Sequence, residues 1–259
     1  MLKELYTAAM GMMPQQTRLE VIANNMANAS TIGFKRDSVF ERNLIDAKSN
    51  LFNVPGSAED DDMPIGTYID YRTGAMQQTF NPLDMAIQNG GFFVTQDEEG
   101  KQFLTRDGHF KLSEDGSITA MDGKLLIGEN GPINVQSQVL VNKEANENLN
   151  TADIKITQNG EVFVNSQSVG RVTVAQVDGI ESLQKISGAD FVATDPSRVK
   201  YIPENDVEIK QGWLESSNVD IIKEMVSMIE LQRGFEAGSK VITTNDTTLD
   251  NSIRLGRYA

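Results

Sequence analysis

The sequence predicts an α+β protein in which N- and C-terminal helices pair as a coiled-coil-like domain, with a central all-β domain built from hairpins. Three observations carry this reading. Apolar residues recur at spacings of three and four at both chain ends, the period drops to two from about residue 70, and Asx-Gly pairs crowd the middle.

In the first helix Leu2, Leu5, Ala9, Met12, Leu19, Ala23 and Met26 fall on one a/d stripe, with Gln16 in its polar slot. Met10, Met13, Val21 and Ile22 widen the stripe. A helix of about 28 residues is roughly 42 Å long and marginal alone in water. Pro14 removes a backbone donor and crowds the carbonyl of Met10, which predicts a kink there. At the other end Asn218 reads as an N-cap. A second stripe follows it: Ile221, Met225, Met228, Phe235, Ile242, Leu249 and Ile253, with Gln232, Ser239 and Asp246 in the polar slots. Two such stripes paired antiparallel leave Met10, Met13, Ile222, Val226 and Ile229 facing out. Burying each of these is worth about 1.5–3 kcal/mol, a driving force for self-assembly.

The middle reads as strands joined by tight turns. Asn89-Gly90, Asp115-Gly116, Asp122-Gly123, Asn130-Gly131, Asn159-Gly160 and Asp178-Gly179 suit turns that need positive φ. Strand candidates between them include 92–96, 110–114, 117–121, 124–128 and 171–177. The stretch 110–128 runs parallel in pattern to 154–174, two similar hairpin units rather than a solenoid. The predicted organisation is therefore a terminal helical domain (1–33 plus 213–259), a connecting region and loop (34–75), and an outer β domain (76–212).

Charge supports that division. The chain of 259 residues carries a net charge of −14, distributed as 0 over 1–34, −4 over 35–70, −8 over 71–211 and −2 over 212–259. Near-neutral ends can pack against copies of themselves, whereas the acidic middle favours solvent. The acidity argues against nucleic acid and anionic membranes, which select clustered Lys and Arg. No run of 18 apolar residues predicts a membrane span, and the N-terminus, interrupted by Lys3, Glu4 and Gln15, does not read as a secretory signal.

No catalytic, cofactor or metal constellation emerges. The chain has no cysteine and one histidine, His109, which reads as a strand-edge surface residue after Asp107-Gly108. Glu59-Asp60-Asp61-Asp62 lacks the turn glycines that would converge four acids on one ion, and reads as a solvated loop. The stretch from Gly116 to Gly123-Lys124 is too long for a phosphate loop and lacks its Ser or Thr. No small-molecule substrate is expected.

The segment 21–36, with Asn24, Asn25, Ala27, Asn28, Thr31, Gly33 and Phe34, resembles the N-terminal signature of the bacterial flagellar rod and hook family. Asn81, Pro82, Leu83, Asp84, Gly91, Phe92 and Phe93, then Arg106 and Gly108, resemble the segments that open its β domain. Gly212, Glu215, Ser217, Asn218 and Val219 resemble its entry into the C-terminal helix. These motifs, in order, span nearly the whole chain. The resemblance implies a structural, non-enzymatic subunit of the flagellar basal body whose terminal helices line a hollow axial tube, with the β domain outside. It implies copies of itself and other rod and hook proteins as partners, and export through the flagellar type III apparatus without a cleaved signal. The rod then crosses the periplasm and carries torque from motor to hook. Length and the run 125–135 look more like the proximal rod component than the distal one. Two other readings stand beside it: a distal rod or hook-type axial protein, and a secreted β-rich binding protein dimerised by its terminal helices.

Overall fold

The computed structural model describes residues 2–41, 65–135, 154–179, 182–203 and 206–257, with side chains for all of these except 2–14, 41, 65 and 249–257. The acidic run 59–62 therefore lies outside the described residues, as do the side chains of Leu2, Leu5, Ala9, Met12, Leu249 and Ile253. The chain divides into two compact units. The first comprises Met1–Ala29, Arg36–Tyr71 and Val219–Ala259; the second comprises Ser30–Lys35 and Arg72–Asn218.

The first unit holds two helices and a hairpin. Helix α1 spans Leu2–Ala27 and continues through Pro14. Asn28 closes it, donating from its backbone and side-chain nitrogens to the Asn24 carbonyl at 3.1 and 3.0 Å. Helix α2 spans Ile221–Arg257. Its cap is Asp220, whose carboxylate accepts from the N–H groups of Ile222 and Lys223 at 3.1 and 3.2 Å. The cap thus sits two residues beyond Asn218. Strand β1 (Arg36–Glu41) pairs antiparallel with β2 (Ile65–Asp70), from Arg36 opposite Asp70 to Glu41 opposite Ile65.

The predicted fold class needs correction here. Among the described residues the protein is a mostly β body with two α-helices, and those helices do not form a coiled-coil-like pair. They lie against each other, but each is rotated away from its expected stripe. Among the described side chains of α1 the buried positions are Ile22 and Asn25, while Ala23 is exposed. In α2 Glu224 is buried and Ser227, Met228 and Leu231 are half-buried, whereas Ile221, Met225 and Phe235 stay largely exposed. The cause is a third element. The Asn25 amide donates to the Asp37 carbonyl at 2.8 Å and accepts from the Asp37 N–H at 2.9 Å. Glu224 pairs with Arg36 at 2.5 Å. Both helices are therefore turned toward the first residues of β1, and a two-helix seam cannot satisfy that demand as well.

The second unit is built from antiparallel strands. Its largest sheet has Phe92–Gln96 near its centre, flanked by Gln102–Thr105 and Leu125–Gly128. The sheet continues outward through Ile118–Ala120 to Phe110–Leu112 on one side, and through Asp190–Ala193 to Leu183–Ser187 on the other. Ile154–Ile156, Glu161–Val164 and Gln167–Arg171 form a separate three-stranded sheet. The two stretches of similar pattern thus become two three-strand meanders. Asx-Gly glycines at 116, 123, 131, 160 and 179 take positive φ, and at Asn89-Gly90 it is the next residue, Gly91, that does so.

Alternation supplies the core. Met85, Ile87, Phe93, Phe110, Ile118, Leu126, Val162, Val174 and Ile209 are buried together, with Phe93 edge-on to Phe110 at 5.4 Å and 86°. Two further strand pairs, Met85–Ile87 with Ile209–Gln211 and Met76–Gln78 with Trp213–Glu215, join the beginning of the β region to its end.

Candidate assembly surface

Among the described residues, nothing covers an apolar face of helix α2. Ile222, Val226 and Ile229 are 74%, 51% and 50% exposed. Their spacing of four and three places them on one face, and Ile221, Met225, Phe235 and Val241 widen the exposed apolar surface. Of the predicted interface positions, Leu19, Met26, Met228 and Ile242 are half-buried, and Ala23 is exposed. Between α1 and α2 a cavity of about 510 Å³ opens among Gln15, Leu19, Leu231, Phe235 and Glu236. Leu231, absent from the expected stripe, is thus part of the helix-to-helix surface. Its polar neighbours Glu230 and Gln232 hid it from a heptad reading.

The family-like segments do different work, and most of it is structural. Gly33 donates its N–H to the Glu215 carbonyl at 2.8 Å, and a Cβ there would stand 2.4 Å from the Arg106 carbonyl carbon. Phe34 is buried under the Lys185 ammonium, 3.6 Å from its ring centre. Lys35, fully buried, donates to Glu215 Oε1 at 2.5 Å and to the Arg72 carbonyl at 3.0 Å. Glu215 also accepts from the Gly74 N–H at 2.9 Å and from Arg106 Nη1 at 3.2 Å. Burial pushes the Arg106 guanidinium pKa down, and the Glu215 carboxylate pulls it back up. Within this unit, one carboxylate joins the chain at residue 35, residue 74, residue 106 and residue 215. A lysine between Phe34 and Arg36 carries no sequence sign that it is buried.

A second set fixes the strand pairs. Asn81 donates through Nδ2 to Asp84 Oδ1 at 2.9 Å, the Pro82 carbonyl accepts from Gln211 Nε2 at 2.7 Å, and Leu83 is buried. The Gly212 N–H donates to the Asp84 carbonyl at 2.7 Å. Gly108 passes so close to the Met85 backbone that a Cβ would fall 1.6 Å from its carbonyl oxygen. Gly91 opens the strand that carries Phe92 and Phe93, and Phe92 meets Phe191 edge-on at 5.5 Å. Asn218 donates through Nδ2 to the Arg72 carbonyl at 3.0 Å, with Ser217 before it and Val219 opening the approach to α2. Ala27 ends α1, and the Thr31 carbonyl accepts from the Phe34 N–H at 3.4 Å.

His109 Nδ1 stands 3.1 Å from Asp84 Oδ1, without the alignment of a hydrogen bond, and Asp84 is buried. The histidine is therefore half-covered at a bridge between residues 84 and 109.

Comparison with known proteins agrees along the chain. Residues 5–35 match the flagella basal body rod protein family, 86–164 the flagellar hook protein FlgE/F/G D1 domain, and 210–255 the flagellar basal body rod FlgEFG protein C-terminal family. The flagellar basal-body rod protein FlgG of Bacillus subtilis is 31% identical over 99% of this chain and 100% of its own length. FlgG of Agrobacterium fabrum is 31% identical over 95% of this chain and 96% of its own. The rod protein FlgF of Mesorhizobium japonicum is 29% identical over 96% of each. The two kinds match almost equally, so the likeness is to the FlgF/FlgG pair rather than to the proximal component alone.

Proposed function

Because the chain belongs to the flagellar basal-body rod proteins of the FlgF/FlgG kind, we propose that it polymerises through α1 and α2 into the hollow shaft that carries torque from motor to hook. It is a structural subunit of the basal-body rod, not an enzyme, and it assembles with other rod and hook components. Its passage through the flagellar type III export apparatus and its position across the periplasm belong to the same proposal.

The observation that carries the polymerisation reading is the exposed apolar face of α2. Ile222, Val226 and Ile229 together offer several kcal/mol on burial, at about 1.5–3 kcal/mol each. A long helix with such a face gains most of its stability from packing. Neighbouring subunits supply that packing. The test is Ile229→Asp, which changes an exposed side chain and so leaves the subunit folded. It should keep the protein soluble, abolish rods in negative stain and stop swimming in a complementation assay. Rods of normal yield from this variant would refute the helix-mediated reading.

A further inference from the structure

One residue of the second unit stands out from everything that surrounds it. Phe80 takes φ +62°, in the left-handed region where an aromatic side chain is strained. The residue is nevertheless 79% exposed, so little packing among the described residues offsets the strain. The conformation is held from Gly212, between the strands Ile209–Gln211 and Trp213–Glu215, whose carbonyl accepts from the N–H groups of Thr79 and Phe80 at 2.8 and 3.2 Å. Glycine would adopt this backbone freely, so the fold alone gives no reason for phenylalanine. A strained residue with an unpacked aromatic ring marks a contact made outside the subunit.

The geometry points to Phe80 as an anchor that inserts into the cavity between α1 and α2 of a second copy of this chain. Charge favours that occupant. The five-residue stretches centred on Phe80 and Gly212 hold one positive side chain, Lys210, and no negative one, in a chain whose net charge is −14. Lys210 lies over the Trp213 ring at 5.4 Å, so a cation and a large aromatic side chain flank Gly212, whose carbonyl holds Phe80. The cavity offers the complement: Leu19, Leu231 and Phe235 for the ring, and Glu236 for the ammonium. Its volume of about 510 Å³ exceeds what one phenyl ring needs. A knob on one surface and a hole on another make a head-to-tail contact, which closes into a ring or propagates as an open helix. This inference rests on the polymerisation reading and adds to it the occupant of the helical cavity.

Three variants of the full chain and one photo-cross-link test it. F80G removes strain and ring together. It should leave the monomer at least as resistant to urea as the parent, yet raise the concentration needed for rod formation by about tenfold. F80Y keeps the ring and should assemble like the parent. L231K fills the cavity with charge and should match F80G in assembly. A benzoyl-phenylalanine at position 80 should cross-link to a second copy within residues 15–19 or 231–236. Unchanged assembly of F80G, or a cross-link elsewhere, to another protein or within the same copy, overturns the inference while the polymerisation reading stands. An unaltered chain that stays monomeric at every concentration overturns both.

Discussion

At the scale of single residues, Glu215 ties together parts of the second unit that are far apart in sequence. Its two oxygens take Lys35, the Gly74 N–H and Arg106, and the groups are almost fully buried. Removing one charge from such a set leaves the other charges buried without compensation, which costs about 3–5 kcal/mol. Glu215→Gln should therefore lower the unfolding free energy of the second unit, read from urea titration, by that amount; a loss below about 1 kcal/mol would mean the cluster is not closed in solution. Glu215 and Arg106 were legible in the sequence only as parts of motifs. Their roles were not, because ionic partners up to 180 residues apart leave no local pattern. Lys35 is the sharper case: pattern reading assigns lysines to the surface, and only the arrival of Glu215 and the Arg72 carbonyl makes its burial affordable.

At the scale of elements, the helices were legible and their facing was not. Spacings of three and four located α1 and α2, and turn pairs located the meanders, since those signals are local. The rotation of each helix depends on β1, a six-residue strand whose sequence RDSVFE gives no sign that it binds Asn25 and Glu224. Asn25 is the clearest handle. Its amide both donates to and accepts from the Asp37 backbone, and it is fully buried. Asn25→Ala leaves that N–H and carbonyl without partners and should cost about 1–3 kcal/mol. Hydrogen exchange would locate the effect, with the Asp37 amide losing protection while the Phe93 and Val94 amides keep theirs. Equal loss in both places would show that the hairpin is not the element Asn25 secures. Met228 and Ile242 lie in both the expected and the observed stripes, which is why a heptad reading places the helices correctly yet misses Leu231.

At the scale of the whole molecule, the second unit is defined by its ends. It needs residues 30–35 and 213–218 as well as the strands between, because Lys35, Glu215 and the strand Trp213–Glu215 complete it. A fragment 30–218 should fold as a soluble, cooperatively melting β protein. A fragment 76–212, cut where the change in periodicity suggests, should melt lower or not cooperatively, since it omits both members of that ion pair. The reverse order in calorimetry would contradict the division into units. For the first unit, polymerisation as proposed requires that neighbours cover the apolar face of α2 in the rod. The chain has no cysteine, so one introduced thiol reports one site without background. The measurement is maleimide labelling of Val226→Cys in monomer and in assembled rods, with Glu98→Cys in the exposed turn at 97–100 as the reference. Both thiols should label rapidly in the monomer, and position 226 alone should label at least tenfold more slowly in the rod. Equal labelling of position 226 in monomer and rod would contradict it.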